Sequence, residues 1–300
     1  MGAILVGTAG WADQSLIKSK KFYPPGMQSP EARLRYYSEH FGLVEVDSSF
    51  YALPEQRTAG AWALRTPDRF IFDLKAYALL TKHPAKADRL PKDLQALIPA
   101  SQRGANFYMH HLPPDLQDEI WARFREALRP IYSAGKLGLV LFQFPPWFVY
   151  HPENREYLLA CQERLPEYPL AIEFRHGSWL DERHREGTLA FLAEHGLTYV
   201  SVDEPQGFKD SLPPLAEATS RFGYVRFHGR NREAWKKRGI TAAERFNYLY
   251  TESELKEWEP QLKELQSRTD SLHVIFNNCY ENKAVVNAAS LAEMFGVQAG

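Results

Sequence analysis

The sequence predicts an α/β fold, a TIM-like (β/α)8 barrel. Three observations carry that expectation. Eight short apolar runs recur along 300 residues, each rich in β-branched or aromatic residues and each ending in Gly, Pro or polar residues, as buried strands do. Amphipathic stretches with helix start and stop residues separate the runs. The length suits a barrel, for which about 250 residues is typical. An open doubly wound sheet usually has fewer strands, and no GxGxxG follows the first run here.

In chain order the strand candidates begin with AILVGTAGW from Ala3, LVEVDSSFY from Leu43, FIFDLKAY from Phe70 and LGLVLFQFPP from Leu137. They continue with LAIEFRHGSW from Leu170, TYVSVDEP from Thr198, YVRFHGR from Tyr224 and LHVIFNNCY from Leu272. Between them, SPEARLRYYSEHFG opens on Ser-Pro and closes on Gly42, DERHREGTLAFLAEHG closes on Gly196, and TESELKEWEPQLKELQSR opens on a Thr cap. One connection breaks the rhythm. From about Pro84 to Lys136 the chain is long and holds PPDLQDEIWARFREALRPIY, a clear helix. It is read as a helical insertion between strands 3 and 4, covering the mouth of one barrel domain that spans residues 1–300.

Composition narrows the function classes. Hydrophobic residues are 44% and charged residues 24%, and the formal net charge is −1. That is an ordinary soluble globular composition without the broad basic surface of a dedicated nucleic-acid binder. Nucleic acid stays open only through a local basic pocket. MGAILVGTAGWADQ lacks a basic start and a long apolar stretch, and Val6 stands where myristoylation needs Ser or Thr. No apolar run approaches the roughly 18 residues of a membrane helix, so no membrane partner is expected. Cys161 and Cys279 lie far apart with no CxxC, which suits a reducing cytoplasm. Oligomeric state is not specified by these features.

Side chains alternate along a strand. One face carries Glu45 and Asp47, Asp73 and Lys75, Gln143, Glu173 and Arg175, Ser201 and Asp203, and Arg226, His228 and Arg230. If the apolar faces meet the outer helices, these polar faces line the barrel interior near its C-terminal rim. Buried charge is costly unless paired. One or two structural ion pairs would be unremarkable, but so many charges in one mouth point to a working pocket.

The sequence also resembles the bacterial and archaeal family catalogued as domain of unknown function 72, often called YecE-like. The pieces that carry the resemblance are VGTAGW, FYPPG, VEVDSSFYALP, FDLKAYALLTKH, LGLVLFQFPPWF, AIEFRHGSW, VRFHGR and FNNCYENKAVVNA. They span nearly the whole chain in order. Asp47 stands where Asn is expected, and Cys279 where an acidic residue is common. The resemblance implies a TIM-like barrel and no established activity.

Chemistry follows from residue types. Loops after strands 7 and 8 of a barrel often bind phosphate. There the chain places Arg226, His228, Arg230 and Asn231, then Asn277 and Asn278. Arg forks match phosphate or carboxylate. The competing assignment is that Arg175 and Arg226 simply neutralise Glu173 and Asp203. A divalent metal on Glu45, Glu173, Asp203 and His228 would echo the xylose-isomerase or endonuclease IV type of barrel. Lys75, Arg175 and Arg226 compete for those carboxylates, so no metal ligand and no cofactor is assigned, with a divalent ion kept as the alternative. A glycosidase would want carboxylates where Gln143 and His228 stand. A Schiff base on Lys75 and a nucleophilic Cys279 each lack support. The reading is an enzyme, a hydrolase or lyase, acting on a small or nucleotide-like anionic substrate. His228, Glu173, Asp203, Lys75 and Glu45 are the catalytic candidates. Arg175, Arg226, Arg230, Asn277, Asn278 and Gln143 hold the substrate, with aromatic walls from Trp11, Tyr51, Trp179 and Trp235. The alternatives are the metal-dependent isomerase or endonuclease and a non-catalytic small-molecule binder.

Overall fold

The computed structural model describes residues 1–102 and 104–297. Residue 103, inside the expected insertion, and residues 298–300 of the expected span lie outside the described residues. All eight apolar runs form strands: β1 Ala3–Ala9, β2 Leu43–Val46, β3 Ile71–Lys75 and β4 Leu137–Gln143, then β5 Leu170–Glu173, β6 Thr198–Asp203, β7 Phe222–Phe227 and β8 Ser271–Phe276. Each pairs in parallel with its neighbours in sequence, and β8 pairs with β1 to close the barrel.

The caps behave as their residue types require. Ser29 Oγ accepts from Ala32 N at 3.0 Å at the head of helix Pro30–Ser38. Thr251 and Glu254 form a reciprocal capping box on helix Glu252–Arg268. Gly196 takes φ +64 after helix Arg185–Glu194.

The connection between β3 and β4 is long, as expected, but its main helix does not cover the mouth. Helix Pro114–Ser133 buries Leu116, Ile120, Phe124, Leu128 and Ile131 along one stripe. Trp121 on it stacks on Phe142 of β4, with ring centroids 6.2 Å apart. Its flanks reach neighbouring helices through Gln56–Glu126 and Arg164–Asp118. An apolar stripe of this kind seeks a sheet face, so the helix takes a place in the outer ring. Among the described residues, no helix is long and apolar enough to cross a membrane.

One glycine explains the barrel floor. The register shifts between Phe72–Leu137 and Leu74–Val140, leaving one extra residue on β4, a bulge. Asp73 Oδ1 accepts from the Leu139 N–H at 2.8 Å, and its Oδ2 pairs with His273 Nδ1 at 2.9 Å. A Cβ at Gly138 would sit 2.3 Å from Asp73 Oδ1 and 2.7 Å from His273 Cε1. Gly138→Ala is therefore expected to cost about 1–3 kcal/mol, the usual range for overpacking, measured as a fall in the denaturation midpoint. An unchanged midpoint would show that the floor can shift aside freely.

Candidate functional site

Arg226 is the hub of the barrel interior. It has no accessible surface, and its guanidinium lies between two carboxylates that are equally buried. Nη2 donates to Glu45 Oε1 at 2.5 Å, while Nη1 donates to Glu173 and, at 3.1 Å, to Gln143 Oε1. Tyr224 Oη donates to Glu45 Oε2 at 2.6 Å. Arg175 lies 3.1 Å from Glu173 and 3.5 Å from Glu204. Lys75 Nζ lies 3.4 Å from Asp47.

Within this network three cations (Arg226, Arg175, Lys75) face four carboxyls (Glu45, Asp47, Glu173, Glu204). One proton is needed to balance them, and the surroundings decide where it sits. Burial pushes the Glu45 carboxyl up to about 7, against the pull of Arg226, and also raises Glu204, against the pull of Arg175. Burial also works against Glu173, but Arg226, His228 and Arg175 together hold it well below the usual carboxylate range.

Four of the five catalytic candidates, Glu45, Lys75, Glu173 and His228, converge inside the barrel as the strand parity predicts, and Asp203 does not. In the β6–β7 ladder Val202 is the neighbour of inward-facing Arg226, and Asp203 that of Phe227. Val200 and Val202 therefore point inward and Asp203 outward. There it accepts from Trp258 Nε1 at 2.7 Å and Tyr250 Oη at 2.7 Å, and pairs with Arg230 at 2.7 Å. Arg230 leaves the mouth with it, also reaching Glu257 at 2.8 Å. The spacing of two fails at Gly229, whose φ of +89 turns the chain. Asn278 also faces away from the mouth and donates to Tyr248 O and Asn287 Oδ1. Trp179 is no wall of the pocket. It is fully buried, donates to Phe148 O, and stacks between Phe148 and Phe174.

Two further expectations are corrected by burial. Arg226 cannot grip an external anion, because it is enclosed and already holds Glu45 and Glu173. His228 cannot act as a free acid or base. Its Nε2 lies 3.0 Å from Glu173 Oε1 and its Nδ1 2.9 Å from Asn277 Nδ2, and it has no accessible surface. Burial lowers it to about 4 despite Glu173, so the ring is neutral at pH 7. Glu45 and Glu173 are likewise closed off from solvent.

A cavity of about 660 Å3 opens above this network at the mouth of the barrel, within the usual range for small-molecule sites. Trp11, Tyr51, Asp47, Lys75, Gln143 and Asn277 line it from the barrel side, with Phe50, His83 and Cys279. Ala242, Ala243 and Phe246 line it from the segment after β7. Trp235 lies behind that wall, with the Arg175 guanidinium 5.1 Å from its ring centre and the His228 ring centroid 6.3 Å away. Among the described residues, no group of three or more His, Cys, Asp or Glu side chains is arranged to hold a metal ion.

The family model described as protein of unknown function DUF72 matches residues 5–300. The chain belongs to this family. It is 36% identical over 299 residues to UPF0759 protein YunF of Bacillus subtilis (strain 168), covering 98% of this chain and 95% of that protein. It is similar to a DUF72 family protein from Thermotoga maritima MSB8, with 31% identity, a TM-score of 0.77, and 98% and 99% of the two chains covered. A DUF72 family protein from Enterococcus faecalis V583, 23% identical, shares the fold with a TM-score of 0.78, over 98% and 95% of the two chains.

In this DUF72 barrel the residue that sequence reasoning passed over is His83. It follows a short 3-10 turn, Ala78–Thr81, after β3. Thr81 Oγ1 donates to Ala78 O at 3.1 Å and lies 2.9 Å from His83 Nδ1. In the tautomer that satisfies both contacts, Thr81 accepts from His83 Nδ1–H, and Nε2 of this cavity-lining residue keeps its lone pair. Burial, with the charge on Lys75, lowers His83 to about 4. The signal in the sequence is LLTKH, a Thr two residues before a His, just past a strand.

Proposed function

We propose that this DUF72 protein is an enzyme that moves a proton on a small anionic substrate in the mouth cavity, in a hydrolytic or elimination step. Lys75 takes the negative charge and His83 acts as the base. The observation that carries this reading is that His83, with Thr81 on its Nδ1, lines the same cavity as Lys75, the one lining cation among the described residues. Lys75 is held only loosely by Asp47 at 3.4 Å, so its ammonium keeps donors for a ligand. The Phe50 ring, 4.8 Å from Nζ, holds the ammonium in place. Arg175 does not line the cavity and stays paired with Glu173 and Glu204. The free state of Cys161 and Cys279 supports a reducing, cytoplasmic setting for this chemistry.

The test is a turnover screen of phosphate and carboxylate esters and hydroxy acids, with His83→Asn and Lys75→Met beside the wild type. For a substrate that is turned over, His83→Asn should lower kcat by about 100-fold or more, the scale of general-base catalysis, and Lys75→Met should chiefly raise KM. The acid limb of the pH–rate profile should lie near 4, activity rising with pH as His83 becomes neutral. A His83→Asn enzyme as fast as the wild type would reject the assignment.

A further inference from the structure

The buried network fixes the polarity of two carboxamides that line the cavity. Arg226 Nη1 meets Gln143 at 3.1 Å. A guanidinium has only donors, so Gln143 must give it Oε1, and its Nε2 is turned away as a donor. The second amide is set by a relay. Glu173 is a carboxylate that also accepts from Arg226 and Arg175. His228 Nε2, 3.0 Å away, must therefore carry the ring proton, and Nδ1 is left with a lone pair. Asn277 can meet Nδ1 at 2.9 Å only with its Nδ2–H, so Asn277 Oδ1 is turned away as an acceptor. Neither Gln143 Nε2 nor Asn277 Oδ1 has a hydrogen-bond partner among the described residues, and neither is a buried orphan. Both side chains line the same cavity as Lys75.

We infer that Gln143 and Asn277 select a hydroxyl group of the ligand, Gln143 Nε2 donating to it and Asn277 Oδ1 accepting from it, while Lys75 holds the ligand's negative charge. The ligand class is a hydroxylated small anion, a sugar phosphate or a sugar acid. A hydroxyl is the smallest group that accepts and donates at once. The side chains of Trp11, Tyr51 and Phe246 also line the cavity and give the C–H groups of such a body apolar surface to pack on. The inference rests on the proposed role of Lys75, and its test separates the two.

The experiment is calorimetric titration of the intact protein with ribose 5-phosphate, gluconate, inorganic phosphate, N-acetylglycine and ribose. Ribose 5-phosphate or gluconate is expected to bind at least tenfold more tightly than inorganic phosphate. Gln143→Met, which leaves Arg226 on both its carboxylates, should abolish that preference and leave phosphate binding unchanged. Equal affinity of the wild type for ribose 5-phosphate, gluconate and phosphate would overturn the hydroxyl assignment and leave the anion reading standing. So would a preference for N-acetylglycine, which offers an amide in place of a hydroxyl. Binding of ribose with no response to any anion would retain the amide pair and overturn the role of Lys75. No binding of any probe would overturn both.

Discussion

Arg226→Ala is expected to lower the stability of the barrel by about 3–5 kcal/mol at neutral pH, the usual cost of leaving a buried charge without its partner. The substitution strips the shared counter-charge from Glu45 and Glu173, both fully buried. Denaturant unfolding measures it directly. The triple variant with Glu45→Gln and Glu173→Gln should recover part of the loss, because neutral amides need no cation. A cost below about 1 kcal/mol, the level of an exposed pair, would mean that the cluster is solvated. The same cluster sets a pH dependence. Glu45 is raised in the folded state, so its contribution is fully present below the ordinary value of 4.5 and is lost as pH rises through about 7. Glu173 is depressed, so its contribution is present above 4.5 and is lost as pH falls through its folded value. Glu45→Gln should flatten the stability curve between pH 5 and 7, at about the values these shifts imply, and leave the acid limb in place.

Asp203→Ala is expected to cost about 2–5 kcal/mol. It leaves the buried donors of Trp258 and Tyr250 unsatisfied, at about 1–3 kcal/mol each. It also frees Arg230, which bonds both oxygens of this carboxylate. The segment from Gly229 to Tyr250 is tied at its base, since Gly229 N donates to Tyr250 Oη and Asn231 Nδ2 to Asn247 O. That segment carries Phe246 to the cavity. Limited proteolysis should therefore cut the variant between residues 230 and 250 faster than the wild type. Equal cutting rates would show that the segment is held independently of Asp203.

Most of the fold is legible in the sequence because a buried parallel strand is short, apolar and punctuated, and all eight runs have that form. The site is legible only where one strand face is unambiguous. In β2, β3, β5 and β7 the polar face goes inward, which brings Glu45, Lys75, Glu173, Arg226 and His228 together. In β6 both choices were physically sound. Val200 and Val202 fill a barrel interior well, and Asp203 is satisfied outside by Trp258, 55 residues further on. Nothing local announces a partner at that distance. His83 is not legible for a different reason: its usefulness depends on which nitrogen carries the proton, and that turns on a three-dimensional contact of Thr81 with both Ala78 and His83.

The partners inside the barrel are far apart along the chain: 181 residues separate Glu45 from Arg226 in the central network, and 200 separate Asp73 from His273 on the floor. During synthesis the first strands emerge long before their counter-charges exist. Their future interior face then mixes Leu5, Gly7, Ala9 and Leu43 with Glu45, Asp73 and Lys75, whose charges favour water. Glu45 and Glu173 meet their shared guanidinium only when β7 arrives. The carboxylates of β2 and β5 are therefore expected to keep water in the unfinished barrel until β7 delivers Arg226, so that the interior dries late in folding.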